Sequence, residues 1–403
     1  MVFGYFLLLT PVVGEECVDK GESVNRFVGI PLSSMLERPS AANLSPSMRS
    51  LLEKQSIIDL ENSVLVPLLE VDNVEFVVDK KSGNVVPIHT GSVMFRSSTA
   101  VLFDAQSTVL LKYQSDCLHM GQVHPLIREY WLMDRLANTG ISVPVFYLSP
   151  PAVFDGRSES AKSSFDMSKE DRESCTNKGS VRVLAMEKAG MDIETIIKTV
   201  SPQGLGLSKS IRLMIDLIEK IERMHSLGVI HGDIHPGNIV TGLGYNLGDI
   251  RLVDFGNGLY EDQLGYEPEL QREPLSATLR YSSPWNLAGI VPSFRDDVYR
   301  ALLVGAMAMN GKAYLTFCEM LEWYPPVMFR FKHHYLIFQL PGGQDFLHGI
   351  ADEVREEIKE TLGKALNISR SVDNLFEKPD YHSIIYELRI VYELVNKTLL
   401  ING

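Results

Sequence analysis

The segment His231-Gly232-Asp233-Ile234-His235-Pro236-Gly237-Asn238 constrains this chain more than any other, once it is paired with a second segment downstream. Sixteen residues past Asn238, the apolar run Ile250-Arg251-Leu252-Val253 ends in Asp254-Phe255-Gly256. A lone Asp or His is usually structural, and Asp-x-Gly by itself usually marks a turn. The two segments together reverse that reading. They place a carboxylate, Asp233, a short step from two further oxygen donors, Asn238 and Asp254. Phosphoryl transfer from ATP needs such a set: a carboxylate beside the acceptor hydroxyl, and oxygen ligands that hold Mg²⁺ against the phosphates. Asp233 is therefore the base candidate, and Asn238 and Asp254 are the candidate metal ligands. His231 is expected to pack and to bond backbone. Gly256 is expected to give the backbone the freedom that aims Asp254.

Two residues upstream complete the pattern. Lys112 ends the apolar run Val109-Leu110-Leu111, and Glu129 lies in a helical pattern over Leu126 to Ala137. A lysine on such a strand can face a cleft and grip the α and β phosphates, and a glutamate on the next helix can pair with it. Each alone is weak. Their order and separation suit an ion pair at the top of a nucleotide cleft.

The rest of the chain divides by period. Short β-rich runs at Val74 to Val78, Val85 to His89, Ala100 to Phe103 and Thr108 to Tyr113 predict antiparallel hairpins, and Pro144 to Leu148 and Val181 to Met186 two more strands. Residues 151–180, rich in Ser, Asp, Glu and Lys, read as a surface insertion. Beyond residue 187 helical spacing dominates: Ser208 to Leu227, Ala301 to Met309 as a buried helix, Asp352 to Leu366, and His382 to Leu400. A β-rich first half and a helical second half predict an α+β, two-lobed architecture. The expected organisation is a signal peptide over 1–14, an extension over 15–75 with a short helix at Met48 to Leu60, and a domain over 76–403. In that domain 76–187 form the first lobe and 188–403 the second.

Charge and cysteines narrow the partners. The net charge of −13 argues against nucleic acid, whose backbone is held by clustered Lys and Arg. Cys17, Cys117, Cys175 and Cys318 lie far apart, with no metal-binding spacing. The apolar stretch Phe3 to Val13, followed by Gly14, has the length of a signal-peptide core and is too short to span a bilayer, so secretion is slightly favoured and no integral membrane association is expected. Sequons stand at Asn43, Asn367 and Asn396. The chain is expected to act as a monomer.

Four later segments carry a family likeness. Ala277-Thr278-Leu279-Arg280-Tyr281-Ser282-Ser283, Ser293-Phe294-Arg295-Asp296-Asp297-Val298, Phe376-Glu377-Lys378-Pro379-Asp380-Tyr381, and Val183-Leu184-Ala185-Met186-Glu187 with Gly190 resemble the substrate-side, Arg-Asp-Asp, C-terminal and hinge segments of one group. With the motifs above, the chain resembles the eukaryotic protein kinases and is most similar to the casein kinase I-like group, over roughly residues 85 to 395. The resemblance implies transfer of the γ-phosphate of ATP, with Mg²⁺, to Ser or Thr of protein substrates. It makes Lys112 the phosphate-gripping lysine, Glu129 its partner, Asp233 the base, and Asn238 and Asp254 the metal ligands. Met186 would border the adenine, the backbone of Glu187 and Lys188 would bond its edge, and Thr278 would touch Asp233 and position the acceptor. Asp297 would hold the backbone of the 231–233 turn.

Three departures qualify the likeness. The loop over the phosphates, expected about sixteen residues before Lys112, keeps only Gly91 in Thr90-Gly91-Ser92-Val93-Met94-Phe95-Arg96. Gly232 replaces the Arg that pairs with a phosphorylated activation segment, so activity is expected not to need that phosphate. His235 replaces the usual catalytic Lys and supplies charge only when protonated. A pseudokinase acting as a binding or scaffold module, and a small-molecule kinase of the aminoglycoside or choline type, remain as alternatives.

Overall fold

Alternating apolar residues from Val74 onward form strands, and the 3.6-residue spacing beyond residue 187 forms helices. The computed structural model describes residues 74–79, 84–89, 93–96, 100–106, 109–115, 124–148, 152–153, 180–264 apart from 244, 281, 283, 292–311, several positions between 352 and 364, and 377–402. The expectations for residues 1–14, for Met48 to Leu60, for most of 151–180, for Gly91, for Thr278 and for the four cysteines fall outside these residues.

Strands β1 (Val74–Asp79) and β2 (Asn84–His89) make one antiparallel hairpin. A second sheet holds β3 (Val93–Arg96), β4 (Ala100–Gln106), β5 (Val109–Ser115), β6 (Val145–Leu148), β7 (Ala152–Val153) and β8 (Ser180–Glu187), in the order β3-β4-β5-β8-β6, with β7 also beside β8. All its pairs are antiparallel. Because β5 runs on to Ser115, Lys112 lies within the strand rather than at its end, paired with Leu102 on one side and Leu184 on the other. A strand interior holds a side chain on one face more firmly than a strand end does.

Helix α1 (Pro125–Arg135) packs beside this sheet. It starts where the sequence signals a start: Pro125 needs no hydrogen-bond partner for its nitrogen, and His124 Nδ1 accepts from the Leu126 N–H at 3.1 Å. Its inner face buries Leu126, Ile127, Leu132 and Met133, but also Arg128 and Glu129. Two charged side chains on a buried face call for partners there.

The second lobe is built on helices. A short helix, α2 (Ile193–Thr195), follows the hinge and leads into a π turn over Ile196–Val200. Helix α3 (Leu207–Ser226) buries Ile211, Met214, Ile215, Ile218, Ile221 and Met224, the stripe its sequence predicts. Each such fully buried aliphatic side chain contributes roughly 1.5–3 kcal/mol. The hairpin β10 (Ile239–Gly242) with β11 (Asn246–Leu252) and the small pair of β9 (Val229–Ile230) with β12 (Leu259–Tyr260) line the top of this lobe. Helix α4 (Phe294–Ala308) is buried along its whole length, and α5 (Tyr381–Asn402) packs on α3. The buried helix expected at Ala301 to Met309 therefore begins seven residues earlier, and its first two turns carry Arg295, Asp296, Asp297 and Arg300 into the core. The described positions between 352 and 364 are helical, as their spacing predicts.

Candidate active site

Lys112 is where the two lobes meet chemically. Its Nζ lies 2.8 Å from Glu129 Oε2 on α1 and 2.7 Å from Asp254 Oδ1, which enters at the end of β11. Burial would push the lysine's pKa down, but the two carboxylates outweigh it and hold the ammonium protonated. Glu129 feels the opposite balance: burial pushes it up to about 7, against the pull of Lys112. Its second oxygen, Oε1, is buried with no hydrogen-bond partner among the described residues. One cation thus serves two acids. The acid that water still reaches, Asp254, sits below the ordinary carboxylate range because Lys112 outweighs its own desolvation.

Asp254 is aimed by its own backbone. It has φ 64°, in the left-handed region, whereas Gly256 is not among the glycines with positive φ. The expectation that Gly256 supplies the freedom is therefore corrected. Aspartate tolerates the left-handed region better than most side chains do, and the strain of order 1 kcal/mol is held by the surrounding structure. Gly256 instead offers its carbonyl to Arg128 Nη1 at 3.2 Å, which ties this segment to α1.

The 231–238 loop is fixed from below. Asp297 Oδ2 accepts from the His231 N–H at 2.7 Å, and Oδ1 accepts from the Gly232 N–H at 2.9 Å. The same carboxylate takes a hydrogen bond from His225 Nε2 at 3.0 Å, and His225 Nδ1 meets Tyr381 Oη at 2.6 Å. His231 packs and bonds backbone: its Nε2 lies 3.0 Å from the Val253 carbonyl, Nδ1 accepts from the Asp233 N–H at 3.3 Å, and its ring lies 4.4 Å from that of Phe255. Gly232 has φ 77°, and a Cβ there would stand 2.6 Å from the Asn257 carbonyl oxygen. The glycine in place of an arginine is thus a requirement of this backbone, apart from any question of regulation.

Asp233 is buried, and both its oxygens are engaged. Arg300 Nη1 donates to Oδ1 at 3.0 Å, and Asn257 Nδ2 donates to Oδ2 at 3.2 Å. Sequence reading missed both donors. Arg300 served there only as the edge of an apolar run, although it falls three residues after Asp297 on a helix, and so on the same face. Asn257 carries no motif of its own beyond its place after Gly256.

Strand pairing brings the segments of the two proposed metal ligands together. Ile239 pairs with Leu252, and the Val253 N–H donates to the Asn238 carbonyl at 3.1 Å, so Asn238 stands opposite Val253, the residue before Asp254. Asn238 Nδ2 donates to the Asp233 carbonyl at 2.9 Å, which commits the nitrogen and leaves the amide oxygen as the end that can meet a ligand. One amide oxygen and one half-exposed carboxylate make a hard-oxygen pair that fits Mg²⁺, an ion that fills its remaining positions with water and phosphate oxygens. No cluster of three or more His, Cys, Asp or Glu that could hold a metal occurs among the described residues.

The remaining predicted residues divide. His235 is largely buried, and burial pushes its pKa down against Asp233, Asp254 and Glu194. Its Nδ1 accepts from the Gly237 N–H at 3.1 Å, and its ring stacks on Tyr281 at 5.6 Å. It is a neutral cap of the Pro236–Asn238 turn, so no fixed charge comes from this position. Met186 is buried in the core that α1 shares. The Glu187 N–H donates to the Pro144 carbonyl at 2.8 Å, which removes it as a donor to any ligand, and its side chain pairs with Arg251 at 2.9 Å. Gly190 lets the hinge dock on β10, since a Cβ there would stand 2.4 Å from the Gly242 carbonyl oxygen. Gly91 precedes β3. The connection between β3 and β4, where a phosphate-covering turn would lie, is Ser97-Ser98-Thr99, and like Gly91 it is outside the described residues.

No family model matches the chain. Among solved structures it is similar to that of vaccinia related kinase 3, with 15% identity, 86% of this chain and 96% of that chain covered, and a TM-score of 0.56. At that identity the likeness speaks for the path of the backbone alone. The chain has the two-lobed protein-kinase-like fold, with Lys112, Glu129 and Asp254 joined between the lobes and Asp233 held by Arg300 and Asn257.

Proposed function

We propose that the protein is an ATP- and Mg²⁺-dependent kinase that phosphorylates Ser or Thr hydroxyls of protein substrates, in the manner of the casein kinase I-like group. One observation carries the reading. Lys112 bridges Glu129 and Asp254 across the lobes at 2.8 and 2.7 Å, and Asp233 is buried and held by Arg300 at 3.0 Å. Three elements distant in sequence converge on one cation, and phosphate binding is the chemistry that uses such a cation.

In this reading Asp233 accepts or orients the acceptor's hydroxyl proton. The new bond forms between that oxygen and the γ-phosphorus, the bond to the β–γ bridging oxygen breaks, and ADP leaves. Lys112 grips the α and β phosphates. Asn238 Oδ1 and Asp254 would hold Mg²⁺, which would supply charge neutralisation at the phosphates. Met186 borders the adenine, and the hinge backbone from the Glu187 carbonyl to Lys188 meets its edge. Thr278 positions the acceptor. His235 adds no charge, and Gly232 leaves no arginine to read a phosphorylated activation segment, so phosphatase treatment leaves activity intact. Secretion rests on Phe3 to Val13 alone, and sequencing the mature N-terminus tests it.

Incubating the full chain with Mg²⁺-ATP and generic acceptor proteins, beside Asp233→Asn, tests the function. Transfer to protein that vanishes in the variant is the expected result. Transfer only to sugars or amines makes the protein a small-molecule kinase. Silence with every acceptor makes it a pseudokinase that binds or scaffolds. Among the described residues no helix is long and apolar enough to cross a membrane.

A further inference from the structure

We propose that Arg300 is a positioning residue for the transfer step: from inside the helical core it supplies the fixed positive charge that the catalytic loop lacks, and it keeps Asp233 aimed at the acceptor hydroxyl. The inference rests on the kinase reading.

The loop itself carries no Lys or Arg. Gly232 has no side chain, and its backbone forbids one. His235 turns Nδ1 to the Gly237 N–H, which donates to it at 3.1 Å. Lys112 is committed to Glu129 and Asp254. Asp233 nevertheless sits in a place with 6% exposure. The cation that faces it there is Arg300, which is 0% exposed and sits 3.0 Å from Oδ1.

Geometry points the same way. Arg300 grips one carboxylate oxygen and Asn257 the other, at 3.0 and 3.2 Å, so the plane of the carboxylate is fixed at both ends. The guanidinium rides on α4, which is buried along its whole length.

Packing does not explain the arginine. A Leu or Met of similar volume would fill a core helix without the cost of desolvating a guanidinium, a cost of several kcal/mol that a buried pair only roughly recovers. Arg300 also faces Asp296, but Asp296 has its own donors in the Ser283 hydroxyl and in the hydroxyl and N–H of Ser293. A directional bond from Arg300 goes to Asp233.

The test compares wild type, Arg300→Met and Arg300→Lys as full chains, with Mg²⁺-ATP and dephosphorylated casein as acceptor. It reads kcat, KM for ATP, and the affinity for a non-hydrolysable ATP analogue. Arg300→Met is expected to lower kcat about 100-fold, with KM and analogue affinity within about twofold, because a misaimed group costs rate rather than binding. Arg300→Lys is expected to recover at least about tenfold of that loss. Equal kcat in Arg300→Met and wild type overturns the inference, as does a Lys variant no better than Met, or a parallel collapse of kcat and analogue affinity. Should Arg300→Met fail to fold, Asn257→Ala releases the other oxygen alone. It is expected to lower kcat about fivefold at constant KM, and an unchanged kcat overturns the inference. An active wild type beside an equally active Met variant refutes Arg300 only. A wild type silent with every acceptor refutes the kinase reading, and this inference with it.

Discussion

The two charged clusters of the cleft are built on opposite plans. Above, one cation serves two carboxylates: Lys112 stands between Glu129 and Asp254. Below, one carboxylate is held by two donors, Arg300 and Asn257, with Asp297 fixing the backbone beside it. The upper cluster joins a strand, a helix and a strand end from different parts of the fold, so any shift of α1 or of the Asp254 segment breaks it. The lower cluster hangs from α4 and from a loop pinned to α4, so its parts move together. The cleft therefore has an adjustable roof and a rigid floor; in the proposed kinase reading a nucleotide enters at the first and the reacting group stays aimed on the second.

The largest expected effect lies in the roof. Lys112→Met removes the cation that stands between Glu129 and Asp254. Transfer is expected to fall about 1,000-fold, equivalent to about 4 kcal/mol at the transition state. Stability changes little, because Glu129, already high in pKa, takes up a proton. Steady-state kinetics beside thermal melting checks this. A large loss of melting temperature would show that the roof carries the fold and is not adjustable.

In the floor, Gly232→Ala forces a Cβ onto a φ of 77° and to 2.6 Å from the Asn257 carbonyl. It is expected to cost about 2 kcal/mol of stability. Activity should fall together with stability, because Asn257 must move and Asn257 holds Asp233. If melting drops while kcat stays at the wild-type value, the floor is less rigid than its bonding implies.

The roof was legible in the sequence and much of the floor was not, for a physical reason. Lys112, Glu129, Asp233, Asn238 and Asp254 lie on elements whose period and motifs announce themselves, and the structure pairs Lys112 with both Glu129 and Asp254. The anchoring of the 231–233 turn by Asp297 was also readable, through the Arg-Asp-Asp resemblance. Arg300 was hidden because its partner is 67 residues away and its neighbours are apolar, so it read as the edge of a core helix. The left-handed backbone at Asp254 was missed because glycine is the usual carrier of that conformation and Gly256 stood nearby. The helices over 207–226 and 381–402 were found to within two residues because burial on one face repeats every three to four positions.

A smaller effect separates the clusters by pH. Burial raises Glu129 to about 7, above its usual 4.5. A raised carboxyl contributes stability that is complete below the unfolded value and is lost as pH rises through the folded one. Between about pH 4.5 and 7 the wild type should therefore lose stability relative to Glu129→Gln, which cannot titrate. Melting curves of both proteins at about pH 5 and about pH 8 check it, and the difference should shift in favour of the Gln variant at the higher pH. A constant difference would mean that Lys112 keeps Glu129 ionised throughout, and the roof would then be as tightly paired as the floor.

The smallest expected effect tests how far the floor's rigidity extends. Tyr381, at the start of α5, bonds His225 Nδ1 at 2.6 Å, and His225 Nε2 bonds the carboxylate of Asp297 that fixes His231 and Gly232. Burial holds His225 below its usual pKa against the pull of Asp297, so the ring is neutral at neutral pH, with its one N–H on Nε2 and Nδ1 accepting from the tyrosine hydroxyl. Tyr381→Phe removes that donor and leaves Nδ1 buried and unsatisfied, a cost of about 1 kcal/mol. Asp297 keeps its three donors, so kcat should fall less than about threefold. Melting and kinetics on the same preparation decide the matter. A tenfold loss of kcat at unchanged stability would show that α5 sets the aim of the catalytic loop through His225, and the floor would then have to be counted as a movable part.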